Sequence, residues 1–446
     1  MKINVGKQDG LNRFVTDFFE DEKHLVELIG FTGNQPIFIG YEKATGELIR
    51  GPELYSDNKS FTYFLPFDKE DDRLWMHIRF PTRESAEPQL AANLIEDMAS
   101  LIQRTLDLAD DFAFLLAAYA LSTWFCDILP VAPYLAFLGL PGTGKTTALR
   151  LMALLCRRSV LAADVSSAAV YRLCSTFSPT LLIDEAATAG QSARLYHLLR
   201  AGSSPDWLVL RQNEAYRLYG AKVVAWTAVP EDIALASRFL YVSMRETQRN
   251  DLQRPDHPEV VAQSEQLQAR LLRFRLDHFD KVKSAQIDNF GSLHARSRDI
   301  FEALARPLAE KPDLLERLLQ SMVRQMELTR ERLSASQSAV LEALGKLVLG
   351  SSDSSFKLSE IMQAANEYLK INGEHLQLSP KTVGNVLSSL GLFERVRTGS
   401  GYVLKVDAAS RKHIHAALVH HGNGCPTIAS GGACEWCGSP GRPPEN

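Results

Sequence analysis

The sequence predicts an α/β protein: a parallel sheet covered by helices on both faces, with a small α+β domain ahead of it and a helical domain ending in a hairpin behind it. Three observations carry this expectation. From Pro133 to about Met244, short apolar runs alternate with stretches of helical period. The run Tyr134 to Leu138 leads into Gly139-Leu-Pro-Gly-Thr-Gly-Lys145-Thr146, and a helix-like stretch to Leu155 follows. Thr180-Leu-Leu-Ile-Asp184-Glu185 is a second buried-strand signature, ending in two carboxylates.

Composition sets the outer bounds. The chain has 446 residues, room for two or three domains, and 45% hydrophobic with 23% charged content is ordinary for a globular protein. No apolar run approaches a membrane span and the start, Met1-Lys-Ile-Asn-Val, has no signal-peptide core, so a cytoplasmic protein with no membrane partner is expected. A net charge of −4 gives no bulk electrostatic case for nucleic acid, which must then rest on local features. Cys126, Cys156 and Cys174 stand in apolar surroundings and read as small buried hydrophobes in a reducing compartment.

Residues 1–85 form the expected α+β domain. Apolar positions in Leu11 to Ile29 recur at helical spacing, and Pro36 to Gly40, Phe61 to Phe64 and Leu74 to Phe80 read as short strands between turn signals. Residues 86–130 are a helical linker region, apolar enough from Leu90 to Ile128 to be mostly buried. Residues 131–332 hold the sheet and then, from Arg245, a charged helical stretch short of turn signals, as a lid would be. Residues 333–407 are the helical and hairpin domain, and residues 408–446 are a Gly/Pro/His/Cys-rich tail.

The glycine-rich stretch fits G-x-x-x-x-G-K-[ST] in the strand–loop–helix setting that motif requires. Its glycines let backbone N–H groups wrap phosphates, and the helix that follows adds its positive end. The expected nucleotide-binding set is Gly139, Pro141, Gly142, Thr143, Gly144, Lys145, Thr146 and Thr147, with Lys145 reaching the β/γ-phosphates and the Thr146 hydroxyl a ligand for Mg²⁺. Asp184 would hold Mg²⁺ through water and Glu185 would polarise the attacking water. An acidic pair after an apolar run is, by itself, a solvated strand end; beside a phosphate loop it reads as an ATP-hydrolysing site.

After the acidic motif come a helix (Ser192 to Ala201), two strand-like runs (Trp207 to Arg211, Tyr216 to Tyr219) around the turn Gln212-Asn-Glu-Ala215, a buried strand from Ala221 to Thr227, and Ile233-Ala-Leu-Ala-Ser237-Arg238-Phe-Leu-Tyr-Val242. In this order of pieces the chain resembles the AAA+ ATPases, and among them the helicase-like group of primase-associated, plasmid and phage proteins related to superfamily 3 and minichromosome-maintenance helicases. Leu181-Leu-Ile-Asp-Glu-Ala186, Val209-Leu-Arg211, Gly220-Ala-Lys-Val-Val-Ala225, Val229-Pro230 and Leu235-Ala-Ser-Arg238 carry the resemblance, over roughly residues 130 to 330.

The resemblance implies further roles. Thr227 matches the polar sensor that orients the attacking water, where many relatives have Asn. Arg238 matches the arginine finger that reaches the neighbouring subunit's site in a hexameric ring; its other reading is a structural arginine at a helix end. Arg298 is the lid residue that would contact the γ-phosphate, with Arg296 the alternative. The hairpin between Trp207 and Tyr219 occupies the place of the DNA-gripping channel hairpin, where Arg211, Tyr216 and Arg217 would supply charge and a stacking surface. Its tip, Asn213-Glu214, lacks the expected basic residue, and an ordinary sheet-edge hairpin is the other reading.

From Leu333 to Val406 the pattern is that of a winged helix. Helices over Ser336 to Leu349 and Lys357 to Ile371 precede a third, started by Ser379-Pro380 and running to Leu390. Phe393 to Arg397 and Tyr402 to Val406 form the wing. Lys381, Thr382 and Asn385 would face the major groove, and Arg395 and Arg397, at strand spacing, the phosphates. A protein-interaction module is the other reading. In the tail, Cys425, Cys434 and Cys437 with His421 satisfy a tetrahedral Zn²⁺ site; a plain tail with incidental cysteines is the alternative. Together these features predict a ring-forming ATPase acting on DNA, a helicase or remodelling motor of mobile-element replication. The alternative is a nucleotide-switched scaffold or sensor in a defence or signalling complex, without unwinding.

Overall fold

Strands, not a helix, hold most of the described residues between 11 and 29. The computed structural model describes residues 3–8, 11–15, 18–32, 35–51, 54–56, 59–61, 74–81, 83, 85, 87–139, 141–184, 192–211, 214–227, 230, 233–291, 293, 295–372, 374, 376–389, 392, 395–399 and 401–420. The N-terminal strands are β1 (Ile3–Gln8), β2 (Leu11–Val15), β3 (Phe18–Glu20), β4 (His24–Thr32), β5 (Gln35–Glu42), β6 (Leu48–Gly51), β7 (Leu54–Ser56) and β8 (Lys59–Phe61). They form two four-stranded sheets, β1-β2-β8-β7 and β3-β4-β5-β6. Leu25, Val26, Leu28 and Ile29 are all buried, so β4 lacks the alternation that marks a half-exposed strand, and its apolar spacing imitates a helix. The stronger signal is Gly33-Asn34: Thr32 pairs with Gln35, leaving a two-residue hairpin connection. Leu74–His77, read above as part of a strand, is a single 3₁₀ turn. The described residues of the expected α+β domain therefore hold strands and that turn.

Two helices follow, α1 (Ala91–Thr105) and α2 (Asp110–Thr123). Burial of α2 on all sides from Ala113 to Thr123 makes it a core helix, and its Tyr119 hydroxyl donates to the Lys222 carbonyl at 2.9 Å, fixing it to the central sheet. That sheet is built from β9 (Tyr134–Leu138), α3 (Lys145–Leu155), β10 (Val160–Ala162), α4 (Ser167–Phe177), β11 (Leu181–Ile183), α5 (Ser192–Ala201), the hairpin β12 (Leu208–Arg211) and β13 (Glu214–Arg217), β14 (Lys222–Trp226), the short α6 (Ile233–Ala236) and β15 (Phe239–Ser243). Its order is β10-β11-β14-β9-β15, and every pairing is parallel. Parallel strands covered on both faces call for near-continuous apolar runs, and β9, β11 and β14 are buried throughout and, apart from Lys222, are apolar or aromatic.

The charged stretch beyond the sheet folds as α7 (Pro258–Ser284), α8 (Ala295–Ala305) and α9 (Pro312–Leu344). The helix expected to start at Ser336 is the end of α9, which continues as a π-helical turn over Gly345–Leu349. Then come β16 (Ser355–Lys357), α10 (Leu358–Ile371), α11 (Pro380–Ser389), β17 (Arg395–Thr398), β18 (Gly401–Lys405) and α12 (Ala408–His420). The first part of the expected tail is thus a helix, and its Ile414 and Leu418 are buried with Leu369, Val383 and Leu404 in one core. The chain divides into two compact units, residues 1–325 and 326–446.

A buried ion network ties the N-terminal strands to the sheet domain within the first unit. Glu27 of β4 accepts from Arg157 Nε at 2.8 Å and from Arg275 Nε at 2.5 Å, and Arg275 Nη2 reaches Asp127 at 2.6 Å. Burial alone would push both carboxyls up, but the surrounding guanidinium charges prevail and hold Glu27 below its ordinary value and Asp127 down at about 2.

Candidate functional site

The phosphate loop begins where β9 leaves the sheet. Gly139 N–H donates to the Trp226 carbonyl at 3.1 Å, so the loop is anchored on β14 beside it. A Cβ at Gly139 would lie 2.5 Å from Thr143 Oγ1 and 2.7 Å from the Met244 carbonyl, contacts no side chain tolerates. Gly142 and Gly144 each have φ of +86°, in the left-handed region that favours glycine. Nothing lies within 4 Å of where a Gly142 Cβ would be, so the loop is an open cradle there.

Gly144 caps α3, whose first residues are Lys145, Thr146 and Thr147. Lys145 Nζ donates to the Gly139 carbonyl at 2.7 Å, turned back across the loop. Thr146 Oγ1 donates to Asp184 Oδ2 at 2.8 Å. That contact joins two residues 38 positions apart, although β9 and β11 are not neighbours in the sheet. Both strands end at the same edge because both run parallel to β14. A hydroxyl, a carboxylate and a lysine beside a loop of left-handed glycines at the start of a helix suit a nucleoside triphosphate with a divalent cation, and these residues fit ATP and Mg²⁺. Pro141 is exposed and Thr143 half-buried. Thr227 directly follows Trp226, the anchor of Gly139, and is exposed at the same edge. Glu185 lies outside the described residues.

The predicted arginines lie at the other edge. In β15 and β14, Phe239 and Lys222 pair with Tyr134, whereas Ser243 and Trp226 pair with Leu138, next to the loop. Arg238, just ahead of Phe239, is therefore separated from its own chain's phosphate loop by the length of β9, roughly 13 Å of strand, beyond the reach of its side chain. Arg238 Nε donates to Ser203 Oγ at 3.0 Å, and Arg296 Nη1 donates to Ser237 Oγ at 2.6 Å. Burial, then the like charges of Arg296 and Arg200, lower the pKa of Arg238, which stays protonated at neutral pH. The structure thus gathers Arg200, Arg238 and Arg296 at one place. Arg200 was missed in the sequence, where nothing marks α5 as ending at this edge. Arg298 does not meet the loop: its Nε donates to the Leu293 carbonyl at 2.7 Å and its guanidinium lies over Phe290.

The hairpin differs from the expected DNA grip. Arg211 pairs with Glu214, so its connection is Gln212-Asn213, and Glu214 belongs to the strand. Tyr216 is not presented for base stacking: its ring stacks on Tyr171 of α4, 5.2 Å between centroids, on the same hairpin face as buried Val209. Arg217 N–H donates to Ser175 Oγ at 2.9 Å, which fixes β13 to α4 while the Arg217 side chain stays exposed. The base is pinned by buried Lys222, whose Nζ donates to the Leu218 and Gly220 carbonyls at 2.9 and 2.8 Å. The Arg211 side chain lies outside the described residues.

In the second unit Thr382 N–H donates to Ser379 Oγ at 3.1 Å, the expected cap of α11. Lys381 is exposed, and Thr382 and Asn385 are half-buried. Arg397 is exposed and pairs across the strands with Tyr402, itself 53% exposed. Arg395 pairs with buried Leu404, which puts its position in register with the inward face; its side chain is outside the described residues. The zinc candidates His421, Cys425, Cys434 and Cys437 also lie outside them. Among the described residues no group of three or more His, Cys, Asp or Glu is placed to hold a metal, and no helix is long and apolar enough to cross a membrane. Cys126, Cys156 and Cys174 are buried free thiols, and burial raises the pKa of each.

No family model and no curated protein matches the chain. Among solved structures, the C-terminal region of NrS-1 in its A-form apo state has a TM-score of 0.33 and 12% identity, over 82% of this chain and 84% of that one. A JCV helicase structure has a TM-score of 0.27 and 14% identity over 53% and 61% of the two chains. The full-length MCM homolog from Methanopyrus kandleri has a TM-score of 0.34 and 13% identity over 71% and 75%. Likenesses this slight decide neither fold nor chemistry, which rest on the chain's own residues.

Proposed function

We propose that the protein is an ATP-hydrolysing AAA+ motor acting on DNA, as a helicase or remodelling ATPase, in a head-to-tail ring. The observation that carries the ATPase reading is the contact of Thr146 with Asp184 beside a loop of left-handed glycines. Bound Mg·ATP supplies the phosphoanhydride whose hydrolysis drives the motor. Thr146 and Asp184 would hold the metal, and Lys145 would leave the Gly139 carbonyl for the β/γ-phosphates. Glu185, next in sequence to Asp184, would take a proton from the attacking water, and Thr227, at the same edge, would orient that water.

Arg238 cannot serve its own site, so a catalytic role for it requires a neighbour whose phosphate loop meets the Arg200–Arg238–Arg296 edge. Such a contact joins different surfaces of two copies and therefore propagates into a ring or filament. In this reading Arg296 acts beside Arg238 in trans, and Arg298 supports α8. The second unit is read as a winged helix: α11 presents Lys381 to a duplex and the β17–β18 wing presents Arg397. The tail residues His421, Cys425, Cys434 and Cys437 would form a zinc module.

One observation favours a second reading, an ATP-switched scaffold without unwinding: Tyr216 is committed to Tyr171, which removes the expected stacking platform from the hairpin. The two separate in one assay. A DNA motor hydrolyses ATP faster with single- or double-stranded DNA and displaces an annealed strand. A scaffold shows neither response, and that result would end the motor reading.

A further inference from the structure

The face of the hairpin turned away from the core carries two exposed leucines beside one cation, Arg217. Leu208 and Leu210 are 50% and 73% exposed, and Trp207, just ahead of β12, is 65% exposed. Across the strands they pair with Arg217 and Ala215. The opposite face is already occupied, since Val209 is buried and Tyr216 is stacked on Tyr171. Large apolar side chains this exposed within four positions are costly to leave in water, and such exposure on a fixed element points to an interface. The element is fixed: Ser175 holds β13 and Lys222 holds the hairpin base.

We propose that this face docks a second copy of the chain, covered by the neighbour on the side that presents its phosphate loop. The inference rests on the head-to-tail reading given above. Two observations choose this occupant. The first is proximity along the chain: Trp207, where the hairpin begins, lies four residues beyond Ser203, the partner of Arg238, so the hairpin starts close to the arginine edge. The second is charge. The arginine edge carries Arg200, Arg238 and Arg296, whereas the phosphate-loop edge carries Asp184 and exposed Asp164 and would carry the nucleotide's phosphates as well. An apolar centre beside complementary charges is how a specific protein interface is built.

The test uses the full chain with Mg²⁺ and a slowly hydrolysed ATP analogue, and measures self-association by sedimentation. Leu208→Ser/Leu210→Ser changes exposed positions and should leave the fold and the monomer's binding of a fluorescent ATP analogue intact. It should weaken assembly about 100-fold or more, the loss expected when two leucines no longer leave water. Leu210→Glu should do the same by setting a carboxylate in the contact. If both variants assemble like the wild type, the docking face is wrong while the head-to-tail reading stands. If they assemble normally but lose binding to a single-stranded oligonucleotide, the proposal is overturned and the face belongs to nucleic acid. If the wild type itself stays monomeric with nucleotide, the head-to-tail reading fails first.

Discussion

Lys145 and Thr146 stand side by side at the start of α3 yet answer to different partners, the Gly139 carbonyl and Asp184. Lys145→Ala should therefore weaken ATP binding about 10- to 100-fold, the worth of a charge-assisted contact, as a fluorescent nucleotide titration would show. Glu185→Gln should instead keep Mg·ATP and slow hydrolysis by on the order of a hundredfold or more. Near-normal turnover would remove Glu185 from the chemistry. The buried acids make a separate prediction. Asp127 is held at about 2, below its unfolded value near 3.9, so its contribution is complete above about pH 4 and is lost as pH falls through 2. Glu27 shifts in the same direction. Thermal melts should fall between pH 4 and 2, by on the order of 2 kcal/mol for Asp127 alone, and flat melting over that range would contradict the network. The loop residues and Asp184 were legible because each motif is continuous in the chain. The network was not, since Glu27, Asp127, Arg157 and Arg275 come from four separate segments and no local pattern marks a charge that will be buried.

Elements were legible where period and punctuation agreed. The Ser379-Pro380 start of α11 and the run of β9 were read correctly, because a cap and a fully apolar strand are local signals. β4 was mistaken for a helix because a strand buried on both faces loses its alternation. The hairpin was placed correctly, but which face it buries depended on α4, far away in sequence. That distinction can be measured. Tyr216→Ala should cost at least about 1 kcal/mol of stability through the lost Tyr171 stack and leave DNA binding unchanged. Arg397→Ala should weaken duplex binding across sequences and flatten its salt dependence by about one unit of slope. Unchanged salt dependence would turn the second unit towards a protein partner. For the tail, purified protein should carry about one zinc equivalent, lost in Cys434→Ser/Cys437→Ser. Elemental analysis without zinc in the wild type would dismiss that module.

At the scale of the whole molecule, the strand order decides what one subunit can do alone. Because β15 runs parallel to β9, Arg238 at its beginning and the phosphate loop at the end of β9 face opposite ways. Motif spacing could not reveal this: Arg238 follows the loop in sequence with no sign of which sheet edge it occupies, and only the resemblance suggested a role in trans. The most direct measurement is a mixing experiment with two inactive proteins. Arg238→Ala subunits keep their phosphate loops, and Lys145→Ala subunits keep their arginines. Each alone should hydrolyse ATP poorly, since a trans arginine is worth on the order of a thousandfold in turnover. When they are mixed, interfaces that pair an intact loop with an intact arginine should restore ATPase activity. Activity that stays at the level of the separate mutants, with subunit exchange demonstrated, would contradict the account and leave Arg238 as a structural residue of its own subunit.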